Sequence, residues 1–322
     1  MTVLLNVYNQ YKANNLPLET IWHDLDYMDE AKTFTIDDTE FKGLQEFVNS
    51  IQDENRTYVP IVKPSISYRK GSSYNVFNTG VEEDVFIKSY VNGPDFIGKA
   101  RSNDVVFPNF FQNQTYAWWR SNLDNFYSSI SFDGLWLDSN EALNLCDGVC
   151  YSDQLAALPV RDRLRIVPTG QSLETQALPL DCWAFNLTDK DENGTTIQNV
   201  TYKEVDTHSL YGTKQTQVTQ WWFEANDKRT MIVGRSSFAG NSKFGSRWIP
   251  DTHSNYTSMS RSVTGLMMSN MFGFPHSGAD ICGYHGNVTM ELCTRWYNLG
   301  AFYPLSRNHQ GASQADQEPY AF

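Results

Sequence analysis

Seven ionisable side chains each close a short apolar run: Asp24, Lys63, Asp138, Arg235, Asp251, Asp280 and His309. The pattern is sharpest in residues 132–142, where Leu135 to Leu137 ends at Asp138, and Ser139, Asn140 and Glu141 follow. An apolar segment that turns acidic at its carboxyl end is how a buried parallel strand looks where it leaves a sheet. A single Asp of this kind would read better as the cap of the next helix; the recurrence along the chain favours a site. Several carboxylates with an arginine and a histidine, and no metal-ligand spacing, suit glycoside hydrolysis. That reaction needs one ionised carboxyl group to attack or stabilise the anomeric carbon, and one protonated group to donate to the leaving oxygen. Trp22, Trp136, Trp248 and Tyr284 are candidates for stacking on sugar faces, and each Trp suits the core equally well. Ser-His-Asp chemistry has less support, because no G-x-S-x-G elbow singles out a serine.

The elements that must position these groups follow from periodicity. Helical spacing covers residues 3–14, 39–52, 115–130, 208–226, 258–271 and 289–299. Apolar strands are expected at 18–24, 57–62, 135–137, 229–233, 244–249, 275–279 and 301–305. Strand, polar terminus and helix thus repeat about seven times, which predicts parallel strands joined by helical crossovers. The expectation is an α/β fold of the (β/α)8 TIM-barrel type, with the polar termini on one rim. A doubly wound open sheet is the rival, but no Gly-rich phosphate loop follows any strand. Residues 64–108 are too long for a plain connection and read as a functional excursion. Residues 139–205 read as an irregular insertion after the fourth strand, with strand content possible.

The chain has 322 residues, 40% hydrophobic and 14% aromatic, with a net charge of −12. The acidic balance argues against nucleic acid as a partner. No apolar run approaches the ~20 residues that span a bilayer, and the amino terminus lacks the basic and apolar regions of a signal peptide. Seven Asn-x-Ser/Thr sites nevertheless occur, at Asn55, Asn113, Asn186, Asn193, Asn199, Asn255 and Asn287. The five cysteines are Cys146, Cys150, Cys182, Cys282 and Cys293. None has zinc-site spacing, and two disulfides with one thiol left over fit an oxidising compartment best. Five reduced cysteines are the alternative. The expected location is the secretory pathway: lysosome, vacuole or outside the cell, with the endoplasmic reticulum as alternative. A secretory chain without a signal suggests that its beginning is missing.

Specific motifs then resemble the catalytic barrel of glycoside hydrolase family 31, nearest its lysosomal and intestinal α-glucosidase group. Trp22-His-Asp-Leu-Asp-Tyr-Met28 is similar to W-N-D-L-D-Y-M, and Asp133-Gly-Leu-Trp-Leu-Asp-Ser-Asn-Glu141 to D-G-x-W-I-D-M-N-E. Arg235-Ser-Ser-Phe-Ala-Gly240 resembles R-S-T-F-A-G, and Arg247-Trp-Ile-Pro-Asp251 resembles H-W-x-G-D. Gly278-Ala-Asp-Ile-Cys-Gly283 and Phe302-Tyr-Pro-Leu-Ser-Arg-Asn-His309 resemble the last two barrel strands. The resemblance implies a retaining, exo-acting α-glucosidase that needs no cofactor and acts on an α-glucoside oligosaccharide or glycan. In it Asp138 is the nucleophile and Asp251 the acid/base. Asp24, Arg235, Asp280 and His309 would hold the sugar in the −1 subsite, with Trp136, Trp248 and Tyr284 nearby. It also implies a Cys282–Cys293 disulfide, and Cys182 paired with Cys146 or Cys150.

The sequence departs from the family at several points. Lys63 stands where the family usually has Asp, and Arg101 where it has a stacking Trp. Ser139 replaces Met, Ala142 replaces Pro, and Pro250 replaces a Gly before Asp251. These changes motivate a second reading, a truncated or degenerate relative that binds carbohydrate without turning it over. The resemblance also implies a first barrel strand before residue 1, a last helix after Phe322, and flanking β-domains outside this chain. An open barrel would expose strand edges and apolar helix faces, so the chain alone is expected to be marginally stable.

Overall fold

The computed structural model describes residues 1–88, 94–100, 103–145, 183–190, 196–312 and 314–322, with the backbone alone described over 183–206. Seven parallel strands form one sheet: β1 (Thr20–His23), β2 (Thr57–Val62), β6 (Leu135–Leu137), β9 (Ile232–Gly234), β10 (Ser246–Ile249), β11 (Ser277–Ile281) and β12 (Arg307–Asn308). They pair in strict chain order, each new strand adding on the same side of the last. A doubly wound sheet would reverse direction at a switch point. This order is that of a (β/α)8 barrel, here incomplete, with β1 and β12 as its edges.

Burial explains the strand segments. β6 and β9 are buried at every position, and β2 at all but its first. Such runs are covered on both faces, as parallel strands require. Gly278 in β11 is imposed by packing, because a Cβ there would come within 1.9 Å of the Leu305 carbonyl oxygen. Any side chain would push the last strand off the sheet.

Helices α1 (Thr2–Ala13), α2 (Leu44–Asp53), α4 (Asn113–Ser129), α5 (Glu204–Ala225), α6 (Tyr256–Met271) and α7 (Met290–Gly300) connect or flank the strands. In α2 the buried residues are Leu44, Phe47, Val48 and Ile51, the spacing of one helical face. It starts five residues later than periodicity suggests, after Gly43, whose φ of 84° leaves the helical region. α6 and α7 are capped by side chains: Asn255 accepts from the Ser258 amide at 2.8 Å, and Thr289 from the Leu292 amide at 3.3 Å. Such caps satisfy amides that have no partner within the helix. The main core centres on Trp118, Trp119, Phe126, Phe132 and Trp222, and a satellite core lies under α6 and α7.

The excursion at 64–108 contains β3 (Ile66–Ser67), β4 (Gly98–Lys99) and β5 (Asp104–Val106) as a small antiparallel sheet, with α3 (Asn75–Glu82). Within the insertion, β7 (Trp183–Lys190) and β8 (Thr196–Lys203) form an antiparallel hairpin. Cys146, Cys150, Cys182 and Arg101 lie outside the described residues. The Cys282–Cys293 disulfide is present, with Cα atoms 4.8 Å apart.

One strand lies elsewhere than expected. Residues 301–305 form the turn that leaves α7, and the strand is Arg307–Asn308. Of these residues only Tyr303 and Leu305 are buried, and for another reason. Tyr303 accepts a hydrogen bond from the Trp296 indole at 3.1 Å, and the Leu305 amide donates to the Ser277 carbonyl. Among the described residues no helix is long and apolar enough to cross a membrane.

Candidate active site

Because the seven strands are parallel, their carboxyl ends share one rim. Asp24, Lys63, Asp138 and Arg235 directly follow β1, β2, β6 and β9, Asp251 lies two residues beyond β10, and His309 follows β12. Asp280 is the penultimate residue of β11. The pairing Val62↔Leu137 sets Lys63 beside Asp138, and Leu137↔Gly234 sets Asp138 beside Arg235. Sheet register alone therefore gathers residues that are far apart in sequence.

Arg235 is the hub. Its Nη1 lies 3.4 Å from Asp138 Oδ1 and 2.9 Å from Asp251 Oδ2, and its Nε lies 3.3 Å from Glu141 Oε1. Burial disfavours the guanidinium charge, but the three carboxylates outweigh it and hold its proton more firmly than usual. Burial pushes the Glu141 carboxyl up, against the opposing pull of Arg235. The loops carrying Asp138 and Arg235 are tied by Asn140, fully buried, whose Oδ1 accepts the Ser236 amide at 2.6 Å. Helix α5 closes over this tie. A Cβ on Gly212 would meet the Asn140 carbonyl at 2.8 Å. Backbone turns sharpen the presentation: Ser139 and Asp251 have φ of 53° and 52°, a region few non-glycine residues occupy outside special sites.

Opposite Arg235, His309 Nε2 contacts Asp24 Oδ2 at 3.0 Å, and its Nδ1 lies 3.9 Å from Asp280 Oδ2. Burial would lower the His309 pKa, yet the contacts with Asp24 and Asp280 raise it. Asp24 shows the converse: burial alone would raise its pKa, but His309, the Leu25 amide and Lys63 bring it down to about 2. Asp280, also buried, is held below the ordinary carboxylate range by Arg307 and His309 against the cost of burial. Among the described residues no group of three or more His, Cys, Asp or Glu has the arrangement of a metal site.

The floor beneath these groups contains a residue that sequence reading left without a role. Arg307 is buried, pairs with Asp280 Oδ1 at 2.5 Å, and lies 5.0, 4.5 and 5.1 Å from the ring centroids of Trp22, Trp136 and Trp248. A guanidinium among indole faces is a cation–π arrangement. It occupies the tryptophans that were candidates for sugar stacking: Trp136 and Trp248 are each 2% exposed. They form the floor under the site instead of an open stacking surface. Tyr284 remains half-buried beside His309, with ring centroids 4.9 Å apart. The signal for Arg307 was its place as the first charge after Leu305, two residues before His309. A separate concavity of about 760 Å³, lined by Thr57, Asp133, Lys228 and His276 among others, opens at the amino ends of the strands and contains none of the rim carboxylates.

A family model described as the glycosyl hydrolases family 31 TIM-barrel domain matches residues 2–322. The chain belongs to glycoside hydrolase family 31. Among similar proteins, the alpha-glucosidase of Mucor javanicus is 33% identical over 98% of this chain and 39% of its own length. The lysosomal alpha-glucosidase of Rattus norvegicus is 32% identical, over 99% of this chain and 32% of its own. The chain thus spans about a third of these relatives. A glucosidase II alpha subunit shares the fold at a TM-score of 0.79 and 24% identity, covering 98% of this chain and 30% of that one. Family 31 membership accounts for the seven-strand order and for the motif residues standing at successive strand ends.

Proposed function

We propose that this chain is the catalytic barrel of a retaining, exo-acting α-glucosidase that releases terminal non-reducing glucose from α-linked oligosaccharides. The observation that carries this reading is the bridging of Asp138 Oδ1 and Asp251 Oδ2 by one nitrogen of Arg235, at 3.4 and 2.9 Å. Those two oxygens are separated by no more than the sum of the two contacts. Such a spacing is compatible with the ~5–5.5 Å between the carboxyl groups of retaining glycosidases.

The roles follow from surroundings. Asp138 sits between Arg235 and Lys63, whose side-chain nitrogens lie 3.4 and 3.5 Å from its two oxygens. Its carboxylate bonds to the anomeric carbon as the bond to the leaving oxygen breaks. Asp251, the more exposed of the two, gives its proton to that oxygen. The same carboxylate then takes a proton from the water that releases the sugar and frees Asp138. Asp24 and His309, with Asp280 buried behind them, offer acceptors and one donor to the sugar hydroxyls. Such groups orient the ring.

The stereochemistry of the first product tests this. Proton NMR during early turnover of an aryl α-glucoside should show the α-anomer of glucose first, before mutarotation. The β-anomer as first product would overturn the retaining mechanism.

A further inference from the structure

Among the described residues three donors converge on Asp138. Oδ1 lies 3.4 Å from Arg235 Nη1; Oδ2 accepts the Ser139 hydroxyl at 2.9 Å and lies 3.5 Å from Lys63 Nζ. An ionised carboxylate has about four acceptor positions. Three are therefore engaged before any sugar arrives. Arg235 also holds Glu141 and Asp251, so it is part of the frame of the site. Among the described residues Lys63 makes one ion pair, to Asp138, and its field also reaches Asp24. Its ammonium is the charge on the nucleophile that the frame does not use.

We propose that Lys63 is an electrostatic brake on Asp138, a positioning residue that sets a low turnover rate. The inference rests on Asp138 being the nucleophile. When the Asp138 oxygen bonds to the anomeric carbon, the leaving oxygen departs with the Asp251 proton, and positive charge grows on the sugar ring. A second cation 3.5 Å from the attacking carboxylate opposes that charge. It also stabilises the free carboxylate, which must surrender its charge as the bond forms. Both effects act on the reacting complex and not on the resting affinity for a neutral sugar. Water attack on the glycosyl-enzyme passes through the same cationic ring, so the brake acts on both steps.

The test compares wild type, Lys63→Gln and Lys63→Arg on an aryl α-glucoside, with Lys63→Met as a second neutral variant and thermal melting to show that each is folded. Lys63→Gln should raise kcat by about tenfold or more, equal to about 1.4 kcal/mol, while KM moves less than about threefold. Lys63→Arg, which keeps a cation, should be the slower of the two variants. A silent wild type with an active Lys63→Gln also supports the brake. Wild-type turnover with no gain in either folded neutral variant overturns the brake and leaves the glycosidase reading standing. Silence in every folded variant overturns both.

Discussion

His309 Nε2 lies 3.0 Å from Asp24 Oδ2, a contact between the ends of β12 and β1, the two edge strands of the sheet. From it runs an arc of alternating charge around the rim. Arg307 meets Asp280, Asp280 meets His309, and His309 meets Asp24. Lys63 lies between Asp24 and Asp138, and Arg235 joins Asp138 to Asp251 and Glu141. Partly buried carboxylates are tolerable because each has a cation beside it.

This arc makes stability depend on pH in two directions. The His309 pKa is raised, so its contribution is full below the unfolded value of ~6.5 and is lost as pH rises through the folded value. His23 is buried against Tyr58, and burial brings its pKa down to about 3 despite the pull of Asp24. The unfolded chain therefore takes up that proton first, and stability falls as pH drops from ~6.5 towards about 3. Asp24 adds a loss only below its ordinary range, as pH falls through about 2. Urea midpoints across pH should peak near pH ~6–7. His309→Gln should cost most below pH ~6.5 and approach wild type in alkali. Parallel wild-type and His309→Gln curves at every pH would contradict the His309–Asp24 pairing.

The floor residue gives a second stability prediction. Arg307 and Asp280 have side chains 2% and 1% exposed. Removing one partner of a buried pair strands the other charge, at ~3–5 kcal/mol. Arg307→Ala should lower stability by that order in denaturant titration. Asp280→Asn, which removes the stranded charge, should restore part of it when combined with Arg307→Ala. Additive losses in the double variant would show that the two residues are not coupled.

Much of the site was legible because parallel strands carry their chemistry at one end. Asp24, Asp138, Arg235, Asp280 and His309 each follow or close an apolar run, and register did the rest. Four things were not legible. The fate of Trp136 and Trp248 depended on Arg307, a contact made across the barrel and absent from any local pattern. The hub role of Arg235 required knowing which strand ends are neighbours, since residues 138, 141 and 251 flank it only after β6, β9 and β10 pair. The last strand was misplaced because Tyr303 and Leu305 are buried in the turn after α7, and burial in a turn looks the same in sequence as burial in a strand. Lys63 was visible as a departure from the family pattern, but its contact with Asp138 was not.

Under the proposed mechanism Asp138 forms a bond with the sugar. Glucose release from an aryl α-glucoside should be measured for wild type beside Asp138→Asn, with both proteins shown to be folded. Wild type should turn over, with a loss of ~10³-fold or more in the variant. Turnover by Asp138→Asn at the wild-type rate would contradict that mechanism, and a folded wild type that binds maltose without cleaving any glucoside, with Lys63→Gln silent as well, would favour the carbohydrate-binding reading instead.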